Sequence, residues 1–197
     1  MPRITGQSGN DVATGGTATK ERAPAKQPRT KAKRNEKAAR EYFDAFNAHD
    51  LDAMAAFWDD ETIEDLVPVG ILRGPGELRE YFGSMFAALP DVQMTIERVV
   101  ADASVATVQW RMAGTFTGGP FMGLEANGKY VDMRGCDLIE FEERTLRRNT
   151  VFFDSFEFAR AVGMLPPRDS GAERAMFSAF NAVTKVRSRL NARSAAQ

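Results

Sequence analysis

From Asn35 onward the spacing of apolar positions changes from helical to alternating. Tyr42, Phe43, Phe46 and Met54 recur at three- and four-residue steps, the signature of one buried helix face. This predicts a first helix over 35–48 and a second over 51–58, with Asp50 placed to cap the second. Thr62-Ile63-Glu64-Asp65-Leu66-Val67 reads as a short strand. The chain then turns from Gly70 to Gly76 into a third helix over 75–88, with Pro75 in its first turn and Pro90-Asp91 ending it. From Val92 to Phe153 the period is two. Val92–Ile96 and Ala106–Met112 alternate, and longer strands follow over 129–142 and 146–154. Gly118-Gly119 and Asn127-Gly128 mark turns around an irregular segment between them. Helices first and a meandering sheet second predict an α+β fold, three N-terminal helices packed on a curved, mostly antiparallel sheet. Such a sheet leaves a tapered apolar interior of the kind that holds ligands.

The two ends read differently. Residues 1–34 are rich in Gly, Thr, Ala, Pro and Lys and carry almost no large apolar side chains, so they are expected to form a disordered basic tail. Residues 35–168 form the domain. Residues 169–197 contain an amphipathic helix from Glu173 to Leu190 and a tail, the helix being expected to pack on the domain.

Charge sharpens this division. Residues 1–40 hold ten Lys/Arg against three Asp/Glu, residues 41–167 ten against 22, and residues 168–197 six against two. An acidic body with basic ends argues against nucleic-acid binding through the folded surface. No stretch approaches the roughly 18–20 apolar residues of a membrane span. The N-terminal stretch has no apolar leader pattern, and Cys136 is the single cysteine. A cytoplasmic protein without a membrane partner is the expectation.

Composition also removes whole chemistries. His49 is the only histidine, placed in the turn Asn47-Ala48-His49-Asp50. One His and one Cys cannot furnish a zinc site, and no metal is expected. A Ser-His-Asp triad would need His49, and no Gly-x-Ser-x-Gly elbow exists. Gly74-Pro75-Gly76 is too short for a phosphate loop. Carboxylates, tyrosine and arginine remain, which narrows any reaction to proton transfer and water activation.

The run from Tyr42 to Asp52, with Thr62-Ile63-Glu64-Asp65, Gly70 and Arg73-Gly74, resembles bacterial ketosteroid isomerases. Gly114-Thr115-Phe116-Thr117-Gly118, Gly123-Leu124 and Gly128-Lys129 resemble the strand connection of SnoaL-like polyketide cyclases. Both are branches of the NTF2-like superfamily, and together the resemblances span residues 38 to about 165. The isomerase pattern implies an oxyanion-donating tyrosine at Tyr42, a general base at Asp65 and a neutral, hydrogen-bond-donating acid at Asp137. The cyclase pattern implies an acid/base at Asp154. Phe46, Trp58, Phe82, Phe86 and Trp110 are the expected pocket walls, with Arg134 as a further substrate contact. The resemblance implies no cofactor and a homodimer.

Each position also has a structural reading: Tyr42 as a bonded core side chain, Asp65 as a cap or partner of an arginine. Three function classes stay open. The first is a cofactor-independent isomerase or cyclase acting by general acid–base catalysis on a hydrophobic carbonyl compound. The second is a binding or dimerisation module whose hydrophobic pocket holds a small apolar ligand. The third is an epoxide-hydrolase-like enzyme, for which Arg134 with Asp137 and Asp154 would have to stand in for an Asp-Arg-Asp arrangement, since Arg111 is not followed by Asp at the second position.

Overall fold

In the computed structural model, which describes residues 26–67 and 69–194, the first helix begins at Lys26 rather than Asn35. This helix, α1 (Lys26–Asn47), extends through a Lys-, Arg- and Ala-rich run of good helix formers. It is anchored there by Asn35, whose buried amide donates to the Asp102 carbonyl at 3.1 Å. The pairs Arg40–Glu36 and Lys37–Glu41 continue it on the exposed side. Residues 1–25 of the expected tail lie outside the described residues.

α2 (Leu51–Ala55) is short, and Asp50 caps it by accepting from the amides of Asp52 and Ala53. β1 (Ile63–Leu66) and β2 (Gly70–Arg73) form a hairpin that leads directly into α3 (Gly74–Ala88). β3 (Gln93–Ala101), β4 (Val105–Thr115), β5 (Tyr130–Glu142) and β6 (Thr145–Phe153) follow, then α4 (Ser155–Ala161) and α5 (Gly171–Ser194). The six strands run in the order β2-β1-β6-β5-β4-β3, antiparallel except for the parallel pair β1–β6. Bulges at Ile96/Arg98 and at Glu140/Phe141 bend the sheet around the helices.

The core lies between the inner sheet face and α1 to α3. Phe46 packs edge-on against Phe82 and Phe86, and Trp58 stacks on Phe82 at 5.9 Å. His49 is half-buried rather than free in solvent. It stacks on Phe86 at 4.3 Å, and its Nε2 lies 2.9 Å from the Val92 carbonyl oxygen. The irregular segment is fixed at Gly118, whose amide donates to the Ala88 carbonyl at the end of α3. A Cβ there would fall 1.7 Å from the Ala87 oxygen, so only glycine permits the approach.

α5 departs from expectation. Its first turn is tied to the body, but Phe177, Phe180, Val183 and Val186 are exposed, so the helix does not pack on the domain. Among the described residues no helix is long and apolar enough to cross a membrane.

Candidate active site

Strand alternation sends Glu64 and Leu66 of β1 inward and Asp65 outward. Parallel pairing places Glu64 opposite Asn149 of β6. On β5, Asp137 points inward with Met133, Ile139 and Phe141, two positions along from Gly135, which sits opposite Trp110. The result is a polar cluster beneath the helices. One amide group, Asn149 Nδ2, donates to Glu64 Oε1 at 2.9 Å and to Asp137 Oδ2 at 2.8 Å. Trp110 Nε1 donates to Asp137 Oδ1 at 2.7 Å. Glu64 is 2% exposed and Asp137 5%.

Gly135 makes the tryptophan bond possible. A Cβ at this position would lie 2.2 Å from the Trp110 ring, so the indole crosses the strand only where no side chain stands. The partners are not evenly distributed. Both oxygens of Asp137 accept hydrogen bonds, whereas Glu64 Oε2, Asn149 Oδ1 and Tyr42 Oη are buried without one. Trp58 packs its ring on Tyr42 at 6.3 Å, and its Nε1 is likewise unpartnered.

Burial pushes both acids up, because the charged form loses its hydration. Asp137 rises to about 6, the hydrogen bonds from Asn149 and Trp110 opposing the rise. Glu64 goes well above the usual carboxylate range through burial and the neighbouring charge of Asp137. The Tyr42 hydroxyl is also pushed well up, by burial and then by Glu64. Both acids therefore hold a proton more tightly than a free carboxyl group, Glu64 being raised in part by the charge of Asp137.

Tyr42, Glu64, Trp110 and Asp137 line a cavity of about 120 Å³. Its remaining walls include Phe43, Phe46, Phe82, Met85, Met112 and Met133. Val69, Met122 and Phe158 also line it. No Lys, Arg or His is among its lining residues.

The cavity brings together Tyr42, Asp137, Phe46, Phe82 and Trp110 of the positions singled out in the sequence. Trp58 and Phe86 are buried behind its wall. Asp65 lies on the outer sheet face, bonded to Arg148. Asp154 is exposed and caps α4, accepting from the amides of Phe156 and Glu157 at 2.9 and 3.2 Å. Arg134 is also on the outer face, 4.0 Å from Glu97. Arg134, Asp137 and Asp154 therefore do not converge.

Sequence reasoning missed Glu64 and Asn149. The pair Glu64-Asp65 signals that one acid faces inward, but the motif match favoured the wrong one. Asn149, between Arg148 and Thr150, carried no signal.

A family model for the SnoaL-like domain matches residues 39–148. The chain belongs to the SnoaL-like domain family. Its sheet and helices form the cone of the NTF2-like superfamily. A structure from Jannaschia sp. CCS1, named as a SnoaL-like polyketide cyclase, superposes with a TM-score of 0.62 at 19% identity, over 68% of this chain and 95% of that one. AclR from Streptomyces galilaeus gives 0.60 at 17% identity, over 67% and 97%. An LEH-like epoxide hydrolase from M. tuberculosis gives 0.55 at 17%, over 66% and 90%. At these identities the likeness establishes the shared fold. No curated protein matches the sequence.

Proposed function

We propose that this SnoaL-like protein is a cofactor-independent isomerase or cyclase that moves a proton at carbon next to a carbonyl group in an apolar substrate. The observation that supports this most strongly is the buried acid pair bridged by Asn149 at the end of an apolar cavity, with Tyr42 Oη and Glu64 Oε2 left unpartnered. Asp137, ionised above about pH 6, is the general base. It removes the proton α to the carbonyl. The developing enolate oxygen accepts from the Tyr42 hydroxyl and from protonated Glu64, two neutral donors that need no reorganisation as charge forms. Protonated Asp137 then returns the proton, to another carbon in an isomerase or to the new oxygen in an aldol closure.

The test is deuterium incorporation from D2O α to the carbonyl. The substrates are β,γ-unsaturated ketones graded in size from 3-cyclohexen-1-one to a 5-ene-3-ketosteroid. Exchange should exceed the buffer rate for at least one of them, climb as pH rises through about 6, and fall by roughly 10²–10⁴ in Asp137→Asn. Asp65→Asn should leave it within a few-fold. Exchange that survives both Asp137→Asn and Glu64→Gln would exclude this mechanism, and no exchange across the series would leave a pure binding role. That second reading is supported by the small apolar cavity; it predicts saturable ligand binding without exchange. An epoxide-hydrolase role has less support, since no arginine lines the cavity.

A further inference from the structure

α5 lies beyond residue 148, where the match to the domain family ends, and at 1.5 Å per residue it extends for roughly 36 Å. Met176, Phe177, Phe180, Val183 and Val186 recur along it at steps of three and four, and all five are exposed, Phe180 by 69%. Arg174, Ser178, Asn181, Lys185 and Ser188 follow steps of four and three on the opposite side. A helix that buries none of its apolar stripe is not maintained by propensity alone, and a stripe of this size marks an interaction surface.

The charge of this segment is one-sided. Glu173 is the last acidic residue of the sequence, and Arg174, Lys185, Arg187, Arg189 and Arg193 follow it. Lys185 and Arg187 make no ion pair among the described residues. Two such helices laid together would bring Arg and Lys against Arg and Lys, with no acid beyond the first turn to pair with them. An anionic bilayer accepts both faces: the aromatic and aliphatic side chains sink to the acyl boundary while Lys and Arg meet the lipid phosphates. Arg187 continues the stripe one turn beyond Val183, where its aliphatic stem follows the apolar side chains and its guanidinium reaches back to the phosphates. Among the described residues no helix spans a membrane, but an interfacial helix lies in the membrane plane and needs no span.

The place of α5 in the fold links this surface to the cavity. Its first turn is held by α4: Arg160 Nη2 donates to Glu173 at 2.7 Å, and the Asp169 amide donates to the same carboxylate at 2.7 Å. α4 itself lines the cavity through Ser155 and Phe158. Of the cavity's lining residues, Val69, Met122 and Ser155 are the exposed ones, so the cavity reaches solvent beside α4. Phe156 of α4 and Met164 just after it are exposed as well and continue the apolar surface toward the root of α5.

We infer that α5 is an interfacial anchor for an anionic lipid surface, holding the open side of the cavity next to a membrane. Apolar compounds concentrate in bilayers, so an anchored cavity takes its ligand from lipid rather than from water. Uptake from lipid rests on the apolar-substrate reading above; the anchoring does not.

The test is co-sedimentation of the full chain with phosphatidylcholine vesicles, with and without phosphatidylserine. Binding should require phosphatidylserine and fall by roughly tenfold or more from low to high salt, as screening of the phosphate contacts demands. Phe177→Asp/Phe180→Asp and Lys185→Glu/Arg187→Glu should each bind at least about tenfold more weakly, with the thermal unfolding of the domain unchanged. Phe180→Trp should shift its emission to the blue on binding, while Trp58 and Trp110, already buried, contribute no shift. Asp137→Asn should bind as the parent does, so failure of the anchor and failure of the proposed base are read separately. A chain that stays in solution with phosphatidylserine vesicles would overturn the anchor, and a dimer dissociated by Phe177→Asp/Phe180→Asp would then assign the stripe to a second copy. Binding that is equal without phosphatidylserine, or unaffected by either double variant, would overturn it too, the second outcome placing the contact outside α5.

Discussion

Glu64 and Asp65 are adjacent in sequence and carry the same functional group, yet they occupy opposite faces of one strand. Glu64 is buried among aromatic and methionine side chains, bridged to a second acid by an amide, and burial keeps it protonated far above its usual range. Asp65 faces outward and is bonded to a guanidinium, where water and a counter-charge stabilise its anion. The same contrast separates Asp137 from Asp154: the first is a buried acceptor of two side-chain donors, the second an exposed helix cap. What an acid can do here depends on which face of the sheet it occupies.

The inner acids should reveal themselves first in the pH dependence of stability. Asp137 has its folded-state value raised to about 6, so the folded state holds its proton more tightly than the unfolded chain. Its contribution is fully present below about pH 4 and is lost as pH rises through about 6. A rise of about two units corresponds to about 3 kcal/mol. Urea unfolding between pH 4 and 8 should show the parent losing stability relative to Asp137→Asn by this order. Glu64 extends the loss to higher pH. Parallel pH profiles of parent and variant would mean that the pair is hydrated in solution.

A smaller effect is expected one residue pair away. Gly135→Ala places a methyl group against the Trp110 ring, and overpacking of this kind costs about 1–3 kcal/mol. The indole must move, so the variant should also lose the Trp110–Asp137 bond and shift tryptophan fluorescence. An unshifted spectrum with unchanged stability would remove Trp110 from the set of groups that tune Asp137.

The outer acids should matter least. Asp154→Ala removes the α4 cap and should cost about 1 kcal/mol by thermal unfolding. Asp65→Asn breaks a partly exposed pair and should cost under about 1 kcal/mol. A loss of several kcal/mol from either would erase the distinction between the faces.

Much of the fold could be read along the chain because it follows from local rules. Period and turn residues located helices, strands and the Gly118 turn. The parallel β1–β6 pairing, short β2 and α4 went unseen. Pairing partners distant in sequence leave no periodic mark, and four-residue strands carry too few positions to show alternation.

The candidate site divides in the same way. Sequence by itself narrowed any chemistry to carboxylates, tyrosine and arginine, since one histidine and one cysteine leave little else. The family resemblance singled out Tyr42, Asp65, Asp137 and Asp154, of which the structure buries Tyr42 and Asp137 beside the cavity. Only the tertiary structure decided between Glu64 and Asp65, because a strand of alternating acids has no inner face until a neighbour fixes its register. Only that register brings Asn149 opposite Glu64, and only burial beneath the helices turns two ordinary carboxyl groups into a bridged pair whose proton affinities are both raised.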